Sequence, residues 1–478
     1  MKVFKNYLFN ASYQLLVIIL PLITIPYVTR IFTPEQIGIN AYTFSVSQYF
    51  VLFAGLGVGI YGNRTIAYVK SDERKIIKNF WSIFFAVLIT STISLIVYLV
   101  FILFIIKKNT SIYIVQSLYI FAIAIDISWL FMAMEDFRKI VTRNTIVKLI
   151  GVVCIFIFVK SDKDLVLYIL ILALTNLLGV ASMWLYLNQY IKSFDFDLQM
   201  IRKHFIPLIR IYIPQLAIQV YVIMDKTMLG TLSSQSEVGY YDMSQKIVKI
   251  LLTLLTSLGV VMIPHISSLL AAKKYKEVEK TIGLTFTYIS YFSFPMAFGL
   301  STISKGLTEW FFGSEYAQTG ILMSFSAFII IAISWSNIIG NQLLLPMMKE
   351  KEFTISVVCG AFINIIINLF LIPILGAFGA IIATIVAEFI VTLVQIVLVK
   401  KYINVIPHIV KCWKSLLASI IMLVTVYLTT NRLPLKITTT FLQIFIGLVT
   451  YFLGMWGLRS EIQRDIIGKV FKFFIKNS

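Results

Sequence analysis

The strongest constraint in this chain is the repetition of apolar segments long enough to cross a bilayer. A spanning helix needs roughly 20 mostly apolar residues, because the hydrocarbon core is about 30 Å thick and a helix rises about 1.5 Å per residue. About fourteen such segments can be placed between residues 7 and 458, and the short connections leave no room for a soluble domain. Composition agrees: 59% of the 478 residues are hydrophobic, only 13% are charged, and the mean hydropathy is +0.90, far above soluble globular chains. The expected fold is an all-α integral membrane protein with about fourteen transmembrane helices. The first apolar run, Tyr7 to Thr29, is too long for a secretory signal core and lacks a small-residue cleavage site, so it counts as a span.

A net charge of +19 could suggest nucleic acid, but the placement of the charges argues for topology. With the N-terminus inside, 30 of the 41 Lys and Arg residues fall on the cytoplasmic side and 11 on the other, as the positive-inside rule requires. Both termini are then cytoplasmic, which fits an even number of spans. Attraction to anionic lipid head groups is a by-product, and no nucleic-acid partner is expected. Three cysteines, Cys154, Cys359 and Cys412, make neither a disulfide framework nor a metal cluster.

The polar stretch from Asn188 to His204 reads as a linker between two halves. The expected organisation is a six-helix lobe over 1–195, a second six-helix lobe over 196–400, and two extra helices with a basic tail over 401–478. A weak repeat supports the halves. Thr33-Pro34-Glu35-Gln36-Ile37-Gly38 and Ser234-Gln235-Ser236-Glu237-Val238-Gly239 stand about 200 residues apart, each opening a span, as in transporters built from repeats.

Ionisable groups inside spans are expensive and usually mark a pathway or a buried pair. Asp225 and Lys226 lie on the seventh span, and Asp242, Lys246 and Lys249 on the eighth at i, i+4 and i+7, one helical face. Lys249 then stands roughly 10 Å along the axis from Asp242. Such a set would draw an anionic group, a pyrophosphate for example, into a polar cavity; alternatively Lys246 snorkels to the interface and pairs with Asp242. Asp126, alone in the fourth span, either lines the path or pairs with a cation such as Lys148. Glu388 is the acid of the twelfth span. There is no phosphate-binding loop and no catalytic arrangement that His204, His265 or His408 could complete. No enzyme activity, cofactor or metal is expected.

Three stretches carry a resemblance. Leu20-Pro21-Leu22-Ile23-Thr24-Ile25-Pro26-Tyr27-Val28-Thr29-Arg30 is followed by Gly38-Ile39 and Tyr61-Gly62-Asn63-Arg64; Asp225-Lys226-Thr227-Met228-Leu229-Gly230 by Glu237-Val238-Gly239-Tyr240-Tyr241; and Asn364 to Asn368 by Ile372-Pro373 and by Gly379-Ala380 to Glu388. Together they resemble polysaccharide repeat-unit flippases of the multidrug/oligosaccharidyl-lipid/polysaccharide exporter superfamily. The resemblance implies a plasma-membrane protein that moves polyprenyl-pyrophosphate-linked oligosaccharide from the inner to the outer leaflet by alternating access. It implies that Arg30, Lys226, Lys246 and Lys249 reach the pyrophosphate, and that Asn10 and Gln14 touch sugar. Asp225 would orient Lys226 or, with Asp242, Asp126 and Glu388, take part in coupling to a proton or sodium gradient or to the membrane potential. Glycosyltransferases and a polymerase of the same pathway are the implied partners. The first span departs from the pattern in lacking a cation at its middle, where some relatives recruit the anionic head group. Two other readings stand beside this one: a cation-coupled multidrug exporter, which should carry embedded acids as its main cavity charges, and a membrane polymerase or glycosyltransferase, which should carry a long loop of paired carboxylates or clustered arginines.

Overall fold

The structure is a computed structural model that describes residues 18–465 and 467–468, and among them all regular structure is helical. Contacts group the chain into two compact units, one ending at Thr231 and the next starting at Leu232. The first contains α1 (Ile18–Ile31), α2 (Pro34–Gly55), α3 (Val58–Tyr68), α4 (Glu73–Ile105), α5 (Thr110–Ala124), α6 (Ser128–Ala133), α7 (Phe137–Phe158) and α8 (Leu165–Ala181). A 3-10 segment, Ser182–Gln189, extends α8, and α9 (Leu198–Leu232) completes the unit but for its last residue. The second holds α10 (Gln235–Ala271), α11 (Tyr275–Phe311), α12 (Ala317–Ser326), α13 (Ile329–Asn337), a π-helical turn at Ile338–Leu344, α14 (Glu350–Leu375), α15 (Ala377–Val399), α16 (Ile406–Val410), α17 (Trp413–Thr430) and α18 (Ile437–Gly457).

By length and apolarity, nine helices among the described residues can cross a membrane, or eleven if each of two bent pairs counts as one span. The bent pairs are Gln235–Ser257 with Met262–Ala271 and Ser314–Ser326 with Ile329–Leu344. Two further helices, α9 of 35 residues and α11 of 37, have ample length to span. Outward-facing apolar side chains are plentiful, including Leu103, Phe104, Phe370 and Ile374. Lipid solvates such side chains, so their exposure is no fault in packing.

Inside the first unit, an aromatic core gathers α3, α4 and α6. Phe80 stacks on Trp129 with ring centres 5.4 Å apart, and Phe84 meets Trp184 edge-on at 5.1 Å. Gly62 is what lets α3 approach: a Cβ there would come within 2.6 Å of the Trp129 ring. Gly62 thus serves close packing, and the left-handed pair Leu56 and Gly57 separates α2 from α3.

The weak repeat has a geometric counterpart on each unit. In the first, Thr33 caps α2 and Gln36 closes the capping box, while Gln36 Nε2 donates to the Asp162 carbonyl at 2.8 Å, tying α2 to the turn between α7 and α8. In the second, Ser234 caps α10, and the Glu237 carboxylate accepts from Ala377 N–H at 2.7 Å and from Gln318 Nε2 at 2.9 Å, tying α10 to the turn between α14 and α15. The positions match, and each side chain reaches the turn of a later helix pair, but the direction of the bond is reversed: Gln36 donates to a carbonyl, and the charged Glu237 accepts from an amide.

Candidate functional site

The charges that the sequence singles out lie on α9, in the first unit, and on α10, in the second. On α9, Asp225 is buried, with 5% of its surface exposed, and Lys226 is half-buried. An ionised carboxylate at that depth persists only when partnered. The next residue, Thr227, has its hydroxyl 2.9 Å from that of Tyr49 on α2. Three residues on, Gly230 faces Tyr42, whose ring would stand 2.2 Å from a Cβ at that position. The Tyr61 hydroxyl and His204 Nδ1, 2.6 Å apart, fasten the other end of α9 to α3. The seam between α2–α3 and α9 is therefore polar at both ends.

On α10, Asp242 is buried and its Oδ2 lies 2.9 Å from Lys246 Nζ, an i,i+4 pair. Lys246 keeps 40% of its side chain exposed, so the pair sits at a boundary and spans the step from packed interior to open surface. Lys249, one turn further, is exposed. The structure thus brings Asp242 and Lys246 together as the alternative reading of that pair has it, and leaves Lys249 as the outward cation of the same face.

Of the other residues, Arg30 is exposed at the end of α1, where its Nη1 donates to the Pro26 carbonyl at 3.3 Å; a cation there complements the helix dipole. Asp126 sits in the break between α5 and α6. Its Oδ1 accepts from Ser128 N–H at 2.8 Å, and its carbonyl accepts from Trp129 Nε1 at 3.0 Å. The first bond is an Asx turn one residue ahead of the N-cap Ile127, and both satisfy groups at the break. Glu388 is half-buried on α15, with its carbonyl accepting from Thr392 Oγ1 at 2.9 Å. Asn10 and Gln14 lie outside the described residues.

Two features go beyond the sequence reading, which names Asn364 and Asn368 without pairing them and gives no apolar cavity. Asn364 and Asn368 on α14 are fully buried and bonded to one another at 3.0 Å, and the nearby Tyr241 and Thr384 hydroxyls stand 3.4 Å apart. The i,i+4 spacing of the two asparagines was the available signal. In the second unit a cavity of about 770 Å³ opens between α10–α11 and α17–α18, lined almost entirely by apolar groups such as Leu251, Pro295, Leu300, Met422 and Leu448. Gly299 and Gly447 contribute room on facing walls; no linear pattern announces a cavity assembled from four helices. No group of three or more metal-ligating side chains is found among the described residues.

Residues 3–270 match the family model described as polysaccharide biosynthesis protein. A relative named "Putative O-antigen transporter" from Shigella dysenteriae is 25% identical over 384 residues, covering 80% of this chain and 96% of the relative. Among solved structures, the lipid II flippase MurJ in an inward closed conformation superposes with a TM-score of 0.76 over 96% of this chain and 100% of the other, at 16% identity. An inward-facing multidrug resistance transporter of the MATE family reaches 0.64 over 82% of this chain and 97% of the other, at 11% identity. The two structural likenesses establish a shared fold of multi-pass membrane transporters, and the family match covers more than half of the sequence: the chain belongs to the polysaccharide biosynthesis protein family.

Proposed function

We propose that this protein flips polyprenyl-pyrophosphate-linked oligosaccharide repeat units from the inner to the outer leaflet of the plasma membrane, by alternating access, for export of a cell-surface polysaccharide. The observation that carries the reading is the charge on α9 and α10, helices 35 and 37 residues long: Arg202, Lys203, Arg210, Lys226, Lys246 and Lys249 stand against Asp225, Glu237 and Asp242. A cationic substrate would meet the opposite balance. The names of the sequence relatives and of the MurJ structure support a lipid-linked saccharide as cargo. Lys249, Lys226 and Arg30 hold the pyrophosphate in this scheme, the Asp242–Lys246 pair sets the outer limit of the basic face of α10, and the apolar cavity between α11 and α17–α18 gives the polyprenyl chain a wall to follow. Asp225, Asp242 and Glu388 are the groups through which a proton or sodium gradient would act, while Asp126 serves the fold. Glycosyltransferases deliver the substrate and a polymerase consumes it.

The test uses a strain lacking the protein, complemented with wild type or Lys249→Ala. Lipid-linked saccharides are labelled and their leaflet read with a glycosidase that cannot cross the membrane. Complete units accumulating in the protected inner pool, in the deletion and in Lys249→Ala, are the expected result. Units that reach the outer face unpolymerised would assign the protein to a later, polymerase-like step, and undisturbed pools would move the reading to a multidrug exporter.

A further inference from the structure

Along α7 the first unit carries two adjoining cavities that the function above does not use. One, of about 570 Å³, is lined by Arg138, Lys139, Thr142 and Arg143 from α7 and by Ser182 and Tyr186 from the 3-10 segment, with Asp136 as its one acid. The second, of about 370 Å³, shares Arg143 and Val147 with the first and continues over Gly151 and Ile155 toward Leu172 and Val180. From Arg143 to Ile155 is twelve residues, about 18 Å along the helix, a little over half of a hydrocarbon core about 30 Å thick. A basic pocket thus opens onto a mostly apolar slot of single-chain length.

The basic end is built, not incidental. The Lys139 ammonium lies 2.6 Å from Asp136 Oδ2 and 5.2 to 5.7 Å from the ring centres of Phe131, Tyr186 and Tyr190. Tyr190 in turn donates to Asp136 at 3.0 Å. Arg143 donates from Nη1 to Ser128 Oγ at 3.1 Å and from Nε to Asn144 Oδ1 at 2.9 Å. These contacts hold two cations in fixed positions while Arg138 beside them is exposed. Fixed donors cost less to order when a ligand arrives. The surroundings are lipid-like: Ile146, Leu149, Ile150, Val153 and Leu185 all present more than 40% of their surface. The end that carries the arginines is the one that the charge distribution assigns to the cytoplasm.

We infer that this seam binds an anionic glycerophospholipid, its phosphate on Arg138, Lys139 and Arg143 and one acyl chain in the slot that α7 and α8 line together with α1. The slot is a groove that runs along the line where α7 and α8 close on one another, Gly151 against Thr175, 2.9 Å from where a Cβ would be, and Gly179 against Val147 at 3.3 Å, with Leu20, Pro21 and Thr24 of α1 as its other wall; it has the width for a chain and gives a saccharide no passage between the two helices. The inference is independent of the flippase reading, since it concerns α7 and α8 and none of the charges on α9 and α10.

The experiment is native mass spectrometry on the full-length protein in detergent, offered equal amounts of a phosphatidylglycerol and a phosphatidylcholine with identical chains. Each basic residue near an anionic lipid surface is worth about fivefold in binding, so the Arg138→Gln/Arg143→Gln protein should retain about thirtyfold less phosphatidylglycerol. Phosphatidylcholine retention stays as it is, and Lys276→Gln/Lys280→Gln, which removes two exposed cations from α11, leaves both unchanged. Because Arg143 also supports Ser128 and Asn144, Arg138→Gln alone is measured beside it, with about a fivefold loss expected; an unchanged retention there overturns the proposal whatever the double variant does. Equal retention of both lipids, or the same loss in the α11 control, also overturns it. So does a polyprenyl phosphate that occupies the arginines and is not displaced by phosphatidylglycerol, which would give the seam to the transported lipid.

Discussion

The ties at the starts of α2 and α10 allow a prediction in which a charged acceptor is set against a neutral one. Glu237 accepts from the Ala377 N–H, the first amide of α15, and a positive helix end favours an anion by about 0.3–1 kcal/mol. A hydrogen bond to a charged acceptor is worth about 1.5–3 kcal/mol, while the exposed contact to Gln318 adds under about 1 kcal/mol. Glu237→Ala should therefore cost about 2–4 kcal/mol of local stability, and Glu237→Gln, which keeps an acceptor without the charge, about 1 kcal/mol. Gln36→Ala removes a neutral bond to Asp162 and the capping-box partner of Thr33, about 1–2 kcal/mol. Gly376 is part of the device, since its φ of +56° and the absence of a Cβ, which would lie 2.7 Å from Glu237 Oε2, let the carboxylate in. The assay is hydrogen exchange followed by mass spectrometry on peptides covering the α14–α15 and α7–α8 turns. Exchange at residues 376–380 should rise about thirtyfold or more in Glu237→Ala and about fivefold in Glu237→Gln, and at residues 160–165 about tenfold in Gln36→Ala. Equal rises in Glu237→Ala and Glu237→Gln would refute the argument from charge, and no rise in either would show that packing alone holds the turn.

Three further outcomes follow from the geometry. Gly230→Ala drives a methyl into the Tyr42 ring and should cost about 1–3 kcal/mol, with Tyr42→Ala in the same chain restoring most of the loss; thermal melts of the two single variants and the double variant read the coupling. Lys246→Ala leaves Asp242 buried beside a lost partner and should lower stability by about 1–2 kcal/mol, discounted for the 40% exposure of Lys246, whereas Asp242→Asn with Lys246→Gln should cost less than Lys246→Ala alone. Two partly exposed carboxyls outside the spans are held below the ordinary aspartate value of about 3.9: Asp197 chiefly by Lys78, 2.8 Å away, and Asp72 chiefly by the Lys75 N–H at the start of α4. A depressed acid contributes fully above its unfolded value and loses its contribution as the pH falls through the lower folded one. The melting temperature of Asp72→Asn/Asp197→Asn should therefore fall short of wild type at neutral pH and approach it as the pH falls through the lowered folded values of the two acids, and parallel curves across the acid range would contradict the assignment.

How much of this was legible beforehand depends on the range of the physics involved. Apolar runs announce helices because membrane insertion is decided segment by segment, and the cap residues Thr33 and Ser234 announce where α2 and α10 begin because capping is settled within four residues. The i,i+4 arithmetic that placed Lys246 over Asp242 holds for the same reason. Asp126 shows the limit of such reasoning. An acid inside an apolar run points to a pathway by default, yet here the helix breaks beside it, and Oδ1 of the carboxylate accepts from the Ser128 amide two residues away. Only the break, a property of how α5 and α6 pack on α3 and α4, tells the two uses apart. Charge on a span is thus ambiguous until the continuity of its helix is known, and the same test separates Asp126 from Asp242, whose helix runs unbroken through the pair with Lys246 and whose carboxylate has no broken backbone to serve.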